Sequence, residues 1–341
     1  MRQIWIPKAG PPEVLEVREE ARDPLPGRGQ VRIRVEAAGV NFADIMGRLG
    51  LYPDLPKMPC VPGYEVAGRV DAVGDEVDAS WIGKDVFALM RFGGYSDVAC
   101  VSERQIFARP PGMSATEGAA IPVNYLTAYQ LVIAMGGLRR GETVLVHSAG
   151  GGVGIAAIQL AKKIGARVIG TASASKHEYL RSIGVDHCID YTREDFEART
   201  KEILHGRGVE LILDAVGGES FQKGFRLLAP TGRLGMFGLS AAATGKSRSV
   251  VRALPAALRT LTMRFSPNQL IDQNKGVFGV NLGHMWDQVD RLTGWVEDLV
   301  AGWREGVVKP VVAASFKFDD AASAHHFIQD RKNVGKVLLV P

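Results

Sequence analysis

The stretch Thr143 to Ala166, TVLVHSAGGGVGIAAIQLAKKIGA, decides the fold. It opens on an apolar run, TVLV (143–146), breaks at Ala149-Gly150-Gly151-Gly152-Val153-Gly154, and continues as IAAIQLAKKIG with apolar residues at helical spacing. A strand, a glycine-rich turn and a helix in that order make a dinucleotide site. Glycines let the backbone approach a pyrophosphate, and the helix N-terminus presents free N–H groups to its charge. A glycine triplet alone is a weak signal; the flanking strand and helix give it meaning. Gly151, Gly152, Val153 and Gly154 are expected against the cofactor, with Ala149 where the first glycine of the pattern usually stands.

Downstream, strand and helix patterns alternate. RVIGTA (167–172) precedes SKHEYLRSIG, and VELILDAVG (209–217) precedes SFQKGFRLLAPTG and then RLGMFGL (233–239). Such alternation implies parallel strands joined by crossover helices. NAD enzymes place an acid about 20 residues beyond the glycine turn, at the end of the second strand, for the ribose 2′-hydroxyl. Here that place reads Gly170-Thr171-Ala172-Ser173-Ala174-Ser175-Lys176, without a carboxylate. Ser173 can donate a hydrogen bond and Lys176 can supply positive charge, both suited to a 2′-phosphate, so NADPH is favoured over NADH.

Upstream, VRIRVEAAGV (31–40), YEVAGRVDAVG (64–74) and KDVFALM (84–90) carry strand signals punctuated by glycine and proline. The texture changes near Pro122, and the regular alternation ends near residue 265 before a closing apolar strand, KVLLVP (336–341). The expected class is α/β. A β-rich domain over 1–121 gives way to a doubly wound Rossmann domain over 122–265, and residues 266–341 return to the first domain.

The chain's 341 residues exceed one ordinary domain of about 100–150. With 46% hydrophobic and 23% charged residues, the composition is that of a globular enzyme rather than a disordered chain. No segment approaches the ~20 uninterrupted apolar residues of a membrane-spanning helix, and the start lacks the apolar stretch of a secretory signal. A reducing, cytoplasmic setting is expected. Cys60, Cys100 and Cys188 form no CxxC pair and read as buried thiols. The adjacent His325 and His326 cannot point the same way on a helix, so no metal site is expected.

The segments GVNFADIMGRLGLYP (39–53), VPGYEVAGRV (61–70), PVNYLTAYQLV (122–132), LVHSAGGGVG (145–154), GTASASKHE (170–178) and KNVGKVLLVP (332–341) resemble the quinone oxidoreductase branch of the medium-chain dehydrogenase/reductase superfamily. Within it, they are most similar to the vesicle amine transport protein group. The resemblance runs nearly end to end. It implies a GroES-like catalytic domain made from both chain ends, a Rossmann domain between them, a cleft where they meet, and dimers through the cofactor domains. Zinc enzymes of the superfamily hold their metal from segments matching 41–44, 63–65 and 122–129. Here Asn41, Tyr64 and Asn124 stand at or near those places, and none replaces a thiolate.

The resemblance therefore implies transfer of hydride from NADPH to a quinone or an α,β-unsaturated carbonyl, without zinc. Simple ketone reduction usually needs a Lewis acid, whereas a conjugated acceptor delocalises the transferred charge. Tyr52 is the leading proton donor or oxyanion partner, since a phenol stays protonated at neutral pH. Tyr64 is a second donor, while Asn41 and Asp44 match residues near the nicotinamide that orient the acceptor. Thr127, Tyr191, Gly238, Phe278, Val280 and Asn333 match positions lining the cofactor. His147 is expected to be hydrogen-bonded beneath the glycine turn rather than to act as a base.

Between Glu219 and Asp272 there is no acid, while Lys223, Arg226, Arg233, Lys246, Arg248, Arg252, Arg259 and Arg264 make that stretch basic in a chain of net charge +4. Residues 246–264 could touch an anionic membrane or an acidic carrier protein; the plainer reading is a surface helix covering the domain junction. The stretch lacks interleaved stacking aromatics, which argues against nucleic acid. Two other functions stay open: an enoyl reductase of a polyketide-type pathway, which these motifs also resemble, and a catalytically weak NADPH-binding, membrane-associated protein.

Overall fold

The structure, a computed structural model, describes residues 1–243 and 263–341. The glycine turn sits in a six-stranded, all-parallel sheet. Its order is His187–Asp190, Arg167–Ala172, Thr143–Val146, Val209–Asp214, Leu228–Met236 and Gly276–Gly279. Numbered by first appearance, that is 3-2-1-4-5-6, the doubly wound arrangement whose ligand crevice opens at the strands' carboxyl ends where the order reverses. Thr143–Val146 is buried at every residue, as expected of a strand covered by helices on both faces. The helix Gly152–Ile164 buries Ile155, Ala156, Ala157, Ile158, Leu160 and Ala161 against it and stops at Gly165 in the left-handed conformation.

The other domain is built on the long strand Gln30–Val40, whose burial alternates along its first half. It pairs antiparallel with Glu65–Val73, with Val98–Ser102 and with the chain's last strand, Lys336–Val340. Both chain ends thus form one sheet, and the Rossmann unit is inserted between them.

Residues 266–341 were expected to return to the first domain, and here the structure corrects the boundary. Gly276–Gly279 is the sixth strand of the parallel sheet, and the helix Val289–Arg304 buries Leu292, Val296 and Leu299 in the core shared with the helix Pro122–Tyr129. The first returning strand to join the other sheet is Val312–Lys317. A four-residue strand with glycine at both ends lacks the apolar pattern that marks a strand in sequence. Among the described residues, no helix is long and apolar enough to cross a membrane.

Candidate active site

The turn after Thr143–Val146 is tight. Ser148 has φ 54, and the Gly151 N–H donates to the Ser148 carbonyl at 2.8 Å. A Cβ on Gly154 would lie 2.5 Å from the Ser148 oxygen and 2.7 Å from the Ala149 oxygen, so only glycine lets the helix begin this close to the turn. The first N–H groups of that helix have no partner within it, and Gly151, Gly152, Val153 and Gly154 border a cleft of about 1240 Å³. Below the turn, burial pushes the His147 imidazole toward its neutral form. Its Nδ1 lies 3.1 Å from Thr171 Oγ1, and its Nε2 is 4.0 Å from Asp214 Oδ2. His147 is thus tied to the neighbouring strands, as expected.

One end of the cleft is cationic. Ser173 and Lys176 follow the second strand, and no carboxylate of that segment borders the cleft. Lys176 Nζ donates to the Asn333 carbonyl at 2.5 Å; burial, and then the charge of Arg331, push its pKa down. Arg331 lies 5.4 Å over the Tyr191 ring and donates to its hydroxyl at 2.9 Å. Sequence reasoning passed over Arg331, because an exposed arginine in QDRKNVG carries no local signal. Asn333, Tyr191 and Gly238 line the cleft with it.

The opposite end is apolar, with Phe42, Met46, Leu51, Leu89, Leu282 and Trp286 on its walls. Tyr52 is half-buried there, and its phenol is pushed up by burial and by the charge of Asp54. Tyr64 lies behind it, edge to face with ring centroids 6.4 Å apart. The Tyr64 hydroxyl is buried with no well-formed hydrogen bond, its polar neighbour being the Tyr52 hydroxyl, and burial raises its pKa strongly. Thr127, Val280 and Asn124 complete the wall.

Asn41 also lines this end, 7% exposed. Its Nδ2 donates to Glu65 Oε1 at 2.9 Å, and its Oδ1 accepts from Lys336 Nζ at 2.6 Å. Glu65 and Lys336 were not singled out by the sequence, since a lone glutamate in a strand and a lysine in KVLLVP read as solvated.

Two expected site residues are corrected. Asp44 does not face the acceptor. It is 1% exposed and turned inward, accepting from the N–H groups of Asn41 (2.8 Å) and Gly63 (3.1 Å) and from the Tyr95 hydroxyl (3.2 Å). Phe278 does not line the cleft: its ring packs over Gly235 within the parallel sheet, where a Cβ would lie 2.7 Å from it. Both face away because capping in one case and strand alternation in the other aim the side chain into the core.

The basic stretch 246–264 lies, apart from Met263 and Arg264, outside the described residues. Three cations that precede it are spoken for: Lys223 pairs with Asp195 (2.6 Å), Arg226 with Glu197 (2.6 Å) and Arg233 with Glu142 (2.8 Å). Among the described residues, no three His, Cys, Asp or Glu side chains come together as a metal site.

The alcohol dehydrogenase GroES-like domain family matches residues 27–130, and the zinc-binding dehydrogenase family matches residues 152–298. The synaptic vesicle membrane protein VAT-1 homolog of Rattus norvegicus is 42% identical over 93% of this chain and 78% of its own length. The quinone oxidoreductase of Escherichia coli, solved with NADPH, superposes with a TM-score of 0.88 at 29% identity, covering 100% of both chains. The CurK enoyl reductase superposes with a TM-score of 0.84 at 28% identity over 99% of this chain and 98% of its own. Family matches on both domains, together with a relative this similar along nearly the whole chain, establish that the protein belongs to the medium-chain dehydrogenase/reductase superfamily, in the quinone oxidoreductase branch that holds the VAT-1 homologues.

Proposed function

We propose that this oxidoreductase uses NADPH to reduce quinones or α,β-unsaturated carbonyls and that it works without zinc. The observation that carries the reading is a single cleft of about 1240 Å³ that joins the glycine turn, a cationic end free of carboxylates and an apolar end holding Tyr52. Ligand sites commonly occupy about 300–1,000 Å³, so this one has room for an acceptor beside a dinucleotide.

The residues fit the cofactor. Helix N–H groups at Gly152–Gly154 face the pyrophosphate, and Ser173, Lys176 and Arg331 suit the 2′-phosphate. Bound NADPH supplies hydride from C4 of its ring. The chain does the rest. Thr127, Gly238, Val280 and Asn333 shape the groove, Asn41 borders the nicotinamide end, and the apolar walls exclude water. Tyr52 gives its proton or a hydrogen bond to the acceptor oxygen, where negative charge develops; a phenol is protonated at neutral pH, and burial pushes this one further up. The donor set does not suit zinc, which is held by thiolate, imidazole and carboxylate, whereas Asn41, Tyr64 and Asn124 offer amides and a phenol.

Similarity to an enoyl reductase supports a second reading, an enoyl thioester as acceptor. The test is NADPH and NADH consumption by the purified protein with 1,4-naphthoquinone, a free enone and a carrier-tethered enoyl thioester. Turnover of the small acceptors with NADPH supports the proposal, and turnover of the thioester alone shifts it to an enoyl reductase. NADPH binding without turnover of any acceptor leaves a cofactor-binding protein. The family resemblance supports a homodimer, which light scattering tests.

A further inference from the structure

The reacting end of the cleft rests on a buried ion pair that the proposed chemistry does not use directly. Glu65 and Lys336 are 0% and 3% exposed, yet they lie 271 residues apart in sequence. Lys336 Nζ donates to Glu65 Oε1 and, at 2.6 Å, to Asn41 Oδ1, while Asn41 Nδ2 donates to the same Glu65 oxygen at 2.9 Å. The second Glu65 oxygen accepts the Val123 N–H at 2.7 Å, at the start of the helix that carries Asn124 and Thr127. Room for the carboxylate comes from Gly39, where a Cβ would collide with it. Next to Lys336, Gly335 sits at φ +99 and donates its N–H to the Gly150 carbonyl at 3.0 Å, within the glycine turn.

Every contact of this carboxylate joins a different part of the site: the Asn41 amide, the wall helix, and the returning strand that also grips the glycine turn. A buried ion pair is weak evidence for stability, because desolvating two charges offsets their attraction. A buried amide whose oxygen meets an ammonium and whose nitrogen meets a carboxylate, however, has one orientation only. Its remaining N–H is then presented in a fixed direction.

Resting on the reductase reading, we infer that Glu65 and Lys336 are positioning residues. Together they lock the Asn41 amide against the reacting end of the cleft and set the distance between that amide and the glycine turn. Their work is to hold geometry across the two domains, at a place where three chain segments must agree for the acceptor and the cofactor to meet.

The decisive variant is the double substitution Glu65→Gln with Lys336→Met in the full-length protein. It removes both charges and so leaves neither buried and unpaired, the condition under which single variants fail to fold. The expected result is a melting temperature close to that of the parent and an NADPH Kd within about threefold. With 1,4-naphthoquinone, kcat should fall by about 10- to 100-fold while acceptor KM barely moves, since misplacement near 1 Å costs rates of that order. Without NADPH, amide hydrogen exchange over residues 39–44 and 122–124 should quicken. Parental kcat in the double variant would overturn the inference. Should the parent protein reduce none of the acceptors, the reductase reading fails separately, and the inference then stands or falls on the exchange measurement: unchanged exchange overturns it.

Discussion

Lys176 Nζ donates to the Asn333 carbonyl across 157 residues of sequence, at 2.5 Å. The contact ties the end of the second Rossmann strand to the segment that returns the chain to the first domain. Two residues earlier, Arg331 closes over Tyr191 from the same returning segment. The cationic end of the cleft is therefore not a property of the Rossmann unit alone. It is completed when the two domains dock.

A first prediction concerns cofactor choice. Charge-assisted hydrogen bonds contribute about 1.5–3 kcal/mol each, and 1.4 kcal/mol is tenfold in affinity. Replacing Lys176 or Arg331 with alanine should raise the NADPH Kd by about 10- to 100-fold and leave NADH binding within a few-fold. Calorimetric titration of both nucleotides checks this. Equal losses for NADPH and NADH would show that neither cation meets the 2′-phosphate.

The two tyrosines should separate. Tyr52 is at the cleft surface, so Tyr52→Phe removes a donor to developing charge and should lower kcat at least tenfold with NADPH affinity intact. The Tyr64 hydroxyl is buried with no well-formed hydrogen bond, only the Tyr52 hydroxyl beside it, and leaving such a group poorly paired costs about 1–3 kcal/mol. Tyr64→Phe should therefore stabilise the free protein by about 1 kcal/mol, seen as a higher melting temperature. A lower melting temperature for Tyr64→Phe would mean that the hydroxyl does useful bonding in the folded state.

What could be read from sequence was local. The glycine turn announces itself because its strand, break and helix are contiguous, and the missing carboxylate after Ala172 lies within one βαβ unit. The expected cleft residues Tyr52, Tyr64, Asn41, Ser173, Lys176 and Tyr191 do line one cavity. Arg331, Glu65 and Lys336 were missed because their meaning arises only on folding, when a strand from the chain's end inserts beside Gln30–Val40. Asp44 was placed by likeness near the reacting groups, and it is indeed three residues from Asn41. Which way its carboxylate turns depended on an N-capping geometry that a residue's identity alone does not fix.

The turn itself offers a steric test. In Gly154→Ala the new methyl would press on the backbone oxygens of Ser148 and Ala149, and backbone atoms cannot step aside as a flexible side chain can. The helix start must shift outward, into the space where a pyrophosphate would lie. The expected outcome is a folded protein with an NADPH Kd raised more than tenfold and a lowered melting temperature. An unchanged Kd by titration would place the nucleotide elsewhere.

Asp44 should give the protein's stability a distinctive pH dependence. Burial is the largest influence on its carboxyl and raises it from 3.8 to about 7, against the opposing pull of the Asn41 N–H, the Lys336 charge, the Tyr95 hydroxyl and the Gly63 N–H. The folded state thus holds a proton that the unfolded chain has already released in the window from about pH 4 to 7. Where the folded state binds more protons, stability falls as pH rises. The contribution of Asp44 is complete below pH ~4 and lost through pH ~7, a decline of about 4 kcal/mol over three pH units. Its neighbour His325, joined to it through Tyr95 at 3.1 Å, is held neutral by burial and by the Arg48 charge; the unfolded chain protonates it below about pH 6.5, so His325 raises stability as pH rises and opposes Asp44, a contribution that cancels when parent and Asp44 variant are compared. Asp44→Asn should remove the Asp44 share of the slope, although the amide can serve only one of the two backbone N–H groups and costs stability at low pH. Chemical denaturation at pH 5 and pH 8 decides the matter: the gap between parent and variant should be largest at pH 5 and shrink by pH 8. A gap independent of pH would mean that Asp44 is ionised throughout.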